Sequence, residues 1–213
     1  MLNKKHFIRL LVYLIGIAML ALGGVLAINS QLGVSPVNLI QQSFSHSMGI
    51  SLGVAAFLSF VIYVIAQVIM LGKEFKPIQT LQILFAVMFG QFIGFFNSVI
   101  QFENISIFYR IMLIFISIVV IAVGIFLTVT PKLVPMAPDG IAGAIAIKMK
   151  ADFGKGKIVF DIIIVLTSTI ILFLSNSGFS DIGIGTVLSA LLVGRVVLFI
   201  NGRFKEKFEK ILF

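Results

Sequence analysis

The sequence predicts an all-α polytopic membrane protein: six transmembrane helices forming two inverted three-helix repeats, each with a short broken or re-entrant helix after its first span. Three observations predict it. Hydrophobic residues make up 60% of the 213-residue chain and charged residues only 11%, with a mean hydropathy of +1.18. A soluble domain carries about 25% charged residues, so too little polar surface is present to cover a water-soluble globule. Six apolar stretches, 7–29, 51–71, 79–100, 108–130, 158–175 and 183–201, each suit a hydrocarbon layer that takes about 20 helical residues to cross. Finally, the basic residues alternate between connections as six spans require.

That alternation runs as follows. Lys4, Lys5 and Arg9 precede or open the first span, and connection 30–50 has no Lys or Arg. Connection 72–78 carries Lys73 and Lys76, and the next has only Arg110 at a span edge. Lys132, Lys148, Lys150, Lys155 and Lys157 follow the fourth span, 176–182 has none, and the tail holds Arg203, Lys205, Lys207 and Lys210. Lys and Arg accumulate on the cytoplasmic side, which places both termini there in a bacterial-type plasma membrane. The net charge of +8 is therefore read as orientation and not as a nucleic-acid footprint.

The first apolar run extends from Leu10 to Ile28, longer than the roughly 7–15 residues of a signal-peptide core, and is read as a retained span. The tail "GRFKEKFEKILF" puts Phe204, Phe208, Ile211 and Leu212 on one stripe of a basic helix, a pattern suited to the membrane interface. The expected organisation is a first repeat over 1–101, a second over 102–201 and an amphipathic tail over 202–213.

The repeat is visible residue by residue. Displaced by 101 positions, Phe7, Arg9, Ile17, Ala21, Gly23, Leu26 and Leu32 fall on Phe108, Arg110, Ile118, Ala122, Gly124, Leu127 and Leu133. One further inserted residue places Pro36 on Pro138, and Thr80 matches Thr186. Three spans per repeat is an odd number, so the second copy enters the membrane upside down. Secondary transporters use this arrangement, with binding sites where the copies meet.

Each copy breaks after its first span: "QLGVSPVNLIQQSFSHSMG" and "KLVPMAPDGIAGAIAIKMKADFG". Ser35 suits a helix N-cap and Pro36 the first helical position; Asp139, beside Pro138 and Gly140, is expected to cap the second helix. The helices 36–48 and 138–150 are too short to span. They lie along the interface or dip into the protein as re-entrant pieces. If they dip, their N-termini favour an anionic or carboxylate-bearing solute, and Asn38, Gln41 and Gln42 offer neutral donors and acceptors. Ser35, Pro36, Asn38, Gln41, Gln42, Asp139, Gly140, Thr186 and Arg195 are the candidate substrate-binding residues.

Ionisable groups inside spans are costly and usually face a partner or a wet cavity. Asp161 lies in the fifth span, about a turn from Lys157, and Arg195 in the sixth. Arg195 is expected to pair with Asp139 or Asp161, as an ion pair or gate, unless its side chain snorkels to the headgroups. Gln67, Gln79, Gln82, Gln91 and Asn97 are read as interhelical hydrogen-bonding groups, worth about 0.6 kcal/mol each. The chain has no cysteine and two histidines, which excludes disulfides and thiolate sites and leaves too few ligands for a His-based metal site. Neither a nucleophile–base pair nor paired catalytic carboxylates is present, so no enzyme activity, cofactor or metal is expected.

The stretches "LGVSPVNLIQQSFSHSMGISLG", "MAPDGIAGAIAIK" and "GIGTVLSALLVGRVV" resemble the signature regions of bacterial YczE/YitT-type integral membrane proteins. Gly33, Ser35 and Pro36, then Pro138, Asp139 and Gly140, then Gly183, Gly185, Thr186 and Gly194 match the pattern. The resemblance implies a plasma-membrane protein of this architecture and says almost nothing of a substrate. The functional expectation is a small secondary transporter or permease for a polar metabolite, anionic and zwitterionic solutes included. The alternative is a non-transporting accessory or scaffold protein that docks a partner on its basic cytoplasmic face; a homo-oligomer is compatible with either.

Overall fold

The computed structural model describes residues 4–151, 153–176, 178 and 181–213. Among them the chain forms eight α-helices and no strand: α1 (Lys4–Ser30), α2 (Pro36–Met48), α3 (Leu52–Leu71), α4 (Gln82–Val99), α5 (Ile107–Val129), α6 (Ala137–Lys148), α7 (Phe153–Leu174) and α8 (Ile184–Leu212). Two 3-10 turns, Gly72–Glu74 and Pro77–Leu81, join α3 to α4. Six helices, all but α2 and α6, are long and apolar enough to cross a membrane. Their outward faces carry exposed large apolar side chains such as Ile69, Phe95, Phe108, Phe173 and Leu198, which suit contact with lipid tails.

The central pair is α1 and α5. They run antiparallel, because Arg9 near the start of α1 donates to the carbonyl of Pro131 beyond the end of α5, at 2.8 Å from Nε and 2.6 Å from Nη2. Between lipid-bathed helices the drive is van der Waals packing, so small residues sit where backbones approach. Gly16 faces Thr128, Gly23 faces Ile121, and Gly124 faces Leu20, each leaving no room for a Cβ. Ser117 Oγ donates to the Gly23 carbonyl across the same seam at 2.8 Å.

Around this pair the packing is reciprocal. Helix α4 packs on α1 and α8 on α5; α2 packs on α7 and α6 on α3. The turns recur as well. Left-handed residues end the first span at Gln31 (φ 54°) and Lys132 (φ 52°), and end the short helices at Gly49 (φ 65°) and Lys150 (φ 51°). One relation is not reciprocal: α3 and α4 pack closely, whereas α7 and α8 barely touch.

The short helices are embedded. Seven residues of α2 and nine of α6 are buried, too many for helices lying on a surface. Gly156 of α7 packs against Ala142 and Ala146, while Asp139 lies within electrostatic range of Lys157 and Asp161. Thus α6 runs antiparallel to the start of α7. Asp161 sits eight residues into α7, or about 12 Å at 1.5 Å per residue, so the first turn of α6 lies well inside the bundle. The amide of Asn38, in the first turn of α2, packs against Gly24, six residues before the end of α1. Both short helices therefore start within the bundle and run outwards.

The tail differs from the expected separate segment. Residues 202–212 continue α8 without a break. Glycine at position 202 costs about 1 kcal/mol in a helix interior, and tertiary contacts offset it. Phe208 meets Phe126 edge to face at 5.2 Å, Lys132 pairs with Glu209 at 2.9 Å, and Leu212 is buried. Arg9 lies over the Phe213 ring and Lys5 donates to the Phe213 carbonyl. Both termini therefore meet on one side of the bundle, here termed the terminal face.

The connections 31–34 and 181–186 meet on the opposite face as a backbone clasp. Val34 N–H donates to the Asp181 carbonyl at 3.1 Å and Gly185 N–H to the Leu32 carbonyl at 2.7 Å. Gly33, at φ +106°, and Gly183 touch backbone to backbone, so a side chain on either has no space. Gly183→Ala is expected to lower thermal stability in detergent by about 1–3 kcal/mol, the usual cost of overpacking. Gly143→Ala, where the added methyl meets nothing within 4 Å, is expected to leave it unchanged or raise it by up to about 1 kcal/mol. Parallel thermal unfolding of the two variants measures the difference.

Candidate functional site

Polar groups collect at the first turns of the two short helices. At α6, Met136 is the N-cap residue, without a side-chain cap, and Ala137 and Pro138 lead the helix. Asp139 therefore lies inside the first turn. This corrects the expectation that Asp139 caps the helix: with Ala137 and Pro138 already helical, the carboxyl sits three residues past the N-cap position. It makes no hydrogen bond or ion pair among the described residues, although it is only 7% exposed.

Two glutamines brace this turn. Gln67 Nε2 donates to Gln82 Oε1 at 2.9 Å, and Gln82 Nε2 returns a bond to Gln67 Oε1 at 3.1 Å. Gln67 Nε2 also reaches the Ala137 carbonyl at 3.2 Å. Gly140 lies against the amide pair, and a Cβ there would collide with it. Gly140 is thus a close-approach glycine, which a solute contact does not require. Tyr13 from α1 donates to Met136 Sδ at 3.5 Å. Tyr63 from α3 stands edge-on to Phe160 at 5.2 Å, its hydroxyl buried without a hydrogen-bond partner.

Lys157 and Asp161 form an i,i+4 ion pair on α7, largely buried. The expected pairing of Arg195 with Asp139 or Asp161 does not form. Arg195 is exposed on α8 and makes no ion pair among the described residues. The reason is tertiary: α8 packs on α5 and hardly touches α7, so its arginine never reaches the acids on α6 and α7.

At α2 the groups are uncharged. Ser35 is the N-cap, its Oγ accepting from Asn38 N–H at 3.5 Å, and Pro36 opens the helix. Asn38, Gln41 and Gln42 are buried, Gln41 completely. Asn38 Nδ2 and both side-chain polar atoms of Gln41 lack a hydrogen-bond partner in the chain. So do the hydroxyls of Ser168 on α7 and Ser189 on α8, two helices that contact α2. Leaving a buried polar group unpaired costs roughly 1–3 kcal/mol. Neither serine is distinguished in the sequence from the many hydroxyls that bond their own helix, as Ser59 does to Ala55.

Thr186 belongs to the clasp. Its Oγ1 accepts from Gly183 N–H and donates to the Asp181 carbonyl, both at 3.3 Å. His46 Nε2, at the far end of α2, lies 3.1 Å from Asp181 Oδ2. Two concavities flank the bundle. One of about 390 Å³ on the terminal face is lined by Glu74, Lys76, Gln79, Val134 and Pro135. A groove of about 770 Å³ between α3 and α4 is lined by Ser51, Gly90, Gln91, Asn97 and Gln101. Neither touches α2 or the first turn of α6.

Residues 7–202 match a family described as a family of unknown function, DUF6198, and the chain belongs to that family. No curated protein and no solved structure matches the chain.

A double-mutant cycle on Gln67→Ala and Gln82→Ala, read by unfolding in lipid or detergent, is expected to give a favourable coupling of about 0.6–1.7 kcal/mol, the range for hydrogen-bonded pairs between membrane helices. Additive single effects would mean that the two amides do not support each other.

Proposed function

We propose that this DUF6198-family protein is a small secondary transporter for a polar solute, zwitterionic or carboxylate-bearing solutes included. Its two halves are copies related by an axis in the membrane plane. The observation that carries the reading is the set of buried, unpartnered neutral groups on α2 and on two helices that contact it: Asn38 and Gln41 on α2, Ser168 on α7 and Ser189 on α8. A site built to hydrogen-bond a solute leaves such groups unpaired in the chain itself.

Three further features support it. Two left-handed turns coincide under the 101-residue displacement, Gln31 with Lys132 and Gly49 with Lys150, and the short helix of each half packs on the second span of the other. Ser168 lies 101 positions after Gln67. An amide pair thus fills the α6 side at position 67, where the counterpart on α7 carries only a small hydroxyl. In this conformation α2 and α6 are packed shut, so exchange requires one half to rock against the other, driven by an ion gradient or by the solute's own gradient. The basic residues favour a cytoplasmic terminal face in a bacterial-type plasma membrane. Kinship with YczE/YitT-type proteins is part of the same proposal: of the motifs that carry it, those around Gly33 and over Gly183, Gly185 and Thr186 meet in the clasp, and Pro138, Asp139 and Gly140 form the first turn of α6.

A second reading, an accessory protein docking a partner, is favoured by the exposed run Ile147, Lys148, Met149 and Lys150 at the terminal face. Proteoliposomes offered a pool of radiolabelled amino acids, sugars and carboxylates separate the two. Uptake by the intact protein is expected, with Asn38→Leu and Gln41→Leu cutting the rate at least about tenfold, the loss of roughly 1.4 kcal/mol of binding, while monodispersity is retained. No uptake of any pooled solute, together with unimpaired cellular activity of both variants, would favour the docking reading.

A further inference from the structure

We propose that Asp139 is a proton-binding carboxyl whose occupancy controls how α6 is held to α7. The proton site stands on its own geometry; its role in coupling rests on the transport reading above. Asp139 is 93% shielded, with 7% exposure, and has no hydrogen bond or ion pair among the described residues. The groups facing it can be named from every neighbouring helix. Lys157 and Asp161 lie within electrostatic range on α7, Tyr13 does so from α1, and α3 and α4 present the neutral amides Gln67 and Gln82 against its neighbour Gly140. Tyr63 of α3 interacts with Asp161, and its hydroxyl is also buried without a hydrogen-bond partner.

The charges do not balance. Two carboxylates face one ammonium group, and the single Lys157 is already bonded to Asp161. An isolated buried carboxylate is costly and is relieved by taking a proton. Two features favour the opposite state: the partial positive charge at the N-terminus of α6 and the charge of Lys157, which acts on Asp139 as well as on Asp161. Burial and the neighbouring carboxylate thus oppose the ionised form of Asp139, while the helix end and Lys157 support it. In the step itself, the Asp139 carboxylate takes a proton from water and becomes a neutral acid, leaving Lys157 wholly to Asp161. Release returns the proton to water, and Lys157 is then shared by two carboxylates that draw α6 and α7 together. The approach is from the terminal face, where the 390 Å³ cavity reaches Val134 and Pro135, a few residues before Asp139.

The test is infrared difference spectroscopy on the full chain reconstituted in liposomes, between mildly acidic and mildly alkaline buffer. The wild type is expected to show the carbonyl stretch of a protonated carboxyl that grows on acidification, and Asp139→Asn to lack it; Asp161→Asn, which leaves Lys157 free for Asp139, is expected to move the same band to lower pH. Absence of a titrating buried carboxyl in the wild type, or its persistence in Asp139→Asn, overturns the site. Presenting the same pool of amino acids, sugars and carboxylates with an imposed pH gradient tests coupling. Accumulation of about tenfold per pH unit is expected for one coupled proton, and none in Asp139→Asn. A titrating band with gradient-independent uptake overturns coupling alone. A titrating band with no uptake overturns the transport reading and leaves the proton site standing.

Discussion

Backbone amides that leave the helical ladder inside a membrane protein must find partners within the chain, since lipid supplies none. Here that requirement falls on two breaks, 31–35 and 130–136, where the chain stops spanning and turns inwards. The first break answers it by pairing with 181–186: Val34 and Gly185 donate across to Asp181 and Leu32. That exchange needs two backbones in contact, which is why glycines stand at 33, 183 and 185. The second break answers it with side chains, Arg9 on the Pro131 carbonyl and Gln67 on the Ala137 carbonyl. These bonds, with the packing of α2 on α7 and of α6 on α3 and α7, position the two short helices.

The two breaks also hold polar groups of different kinds. Around α6 lie a reciprocal amide pair, an ion pair and one spare carboxyl; around α2 lie neutral amides and hydroxyls without partners. The difference comes from a few positions, notably glutamine at 67 against serine at 168. It also comes from α8 standing away from α7, where α4 stays packed on α3. One end of the bundle thus holds charge while the other offers neutral hydrogen-bonding groups.

Much of the architecture was legible because membrane helices announce themselves by length and apolarity. The six spans, the two short helices, the Ser35 cap and the Pro36 start occupy their expected places, except that α7 begins five residues early and α8 runs on through the tail to Leu212. The site was less legible. Asp139 reads as a cap from its neighbours, yet the helix begins two residues earlier. Arg195 reads as a partner for the acids, yet it lies on a helix that does not approach them. Ser168, Ser189 and Tyr63 carry no local signal, because a hydroxyl inside a span usually bonds its own helix and only the packed bundle shows which ones do not.

The sequence by itself determined that the chain crosses a membrane, how often, and where its helices break, because hydrophobic length, proline and capping chemistry act within a few residues of one another. Tertiary structure alone decided which polar groups face each other. It set Gln67 against Gln82, Gly33 against Gly183, Lys157 with Asp161 and Arg195 with neither acid. Such pairings join residues far apart in the chain, and they depend on how helices cross and how near they come, quantities that no local pattern of residues encodes.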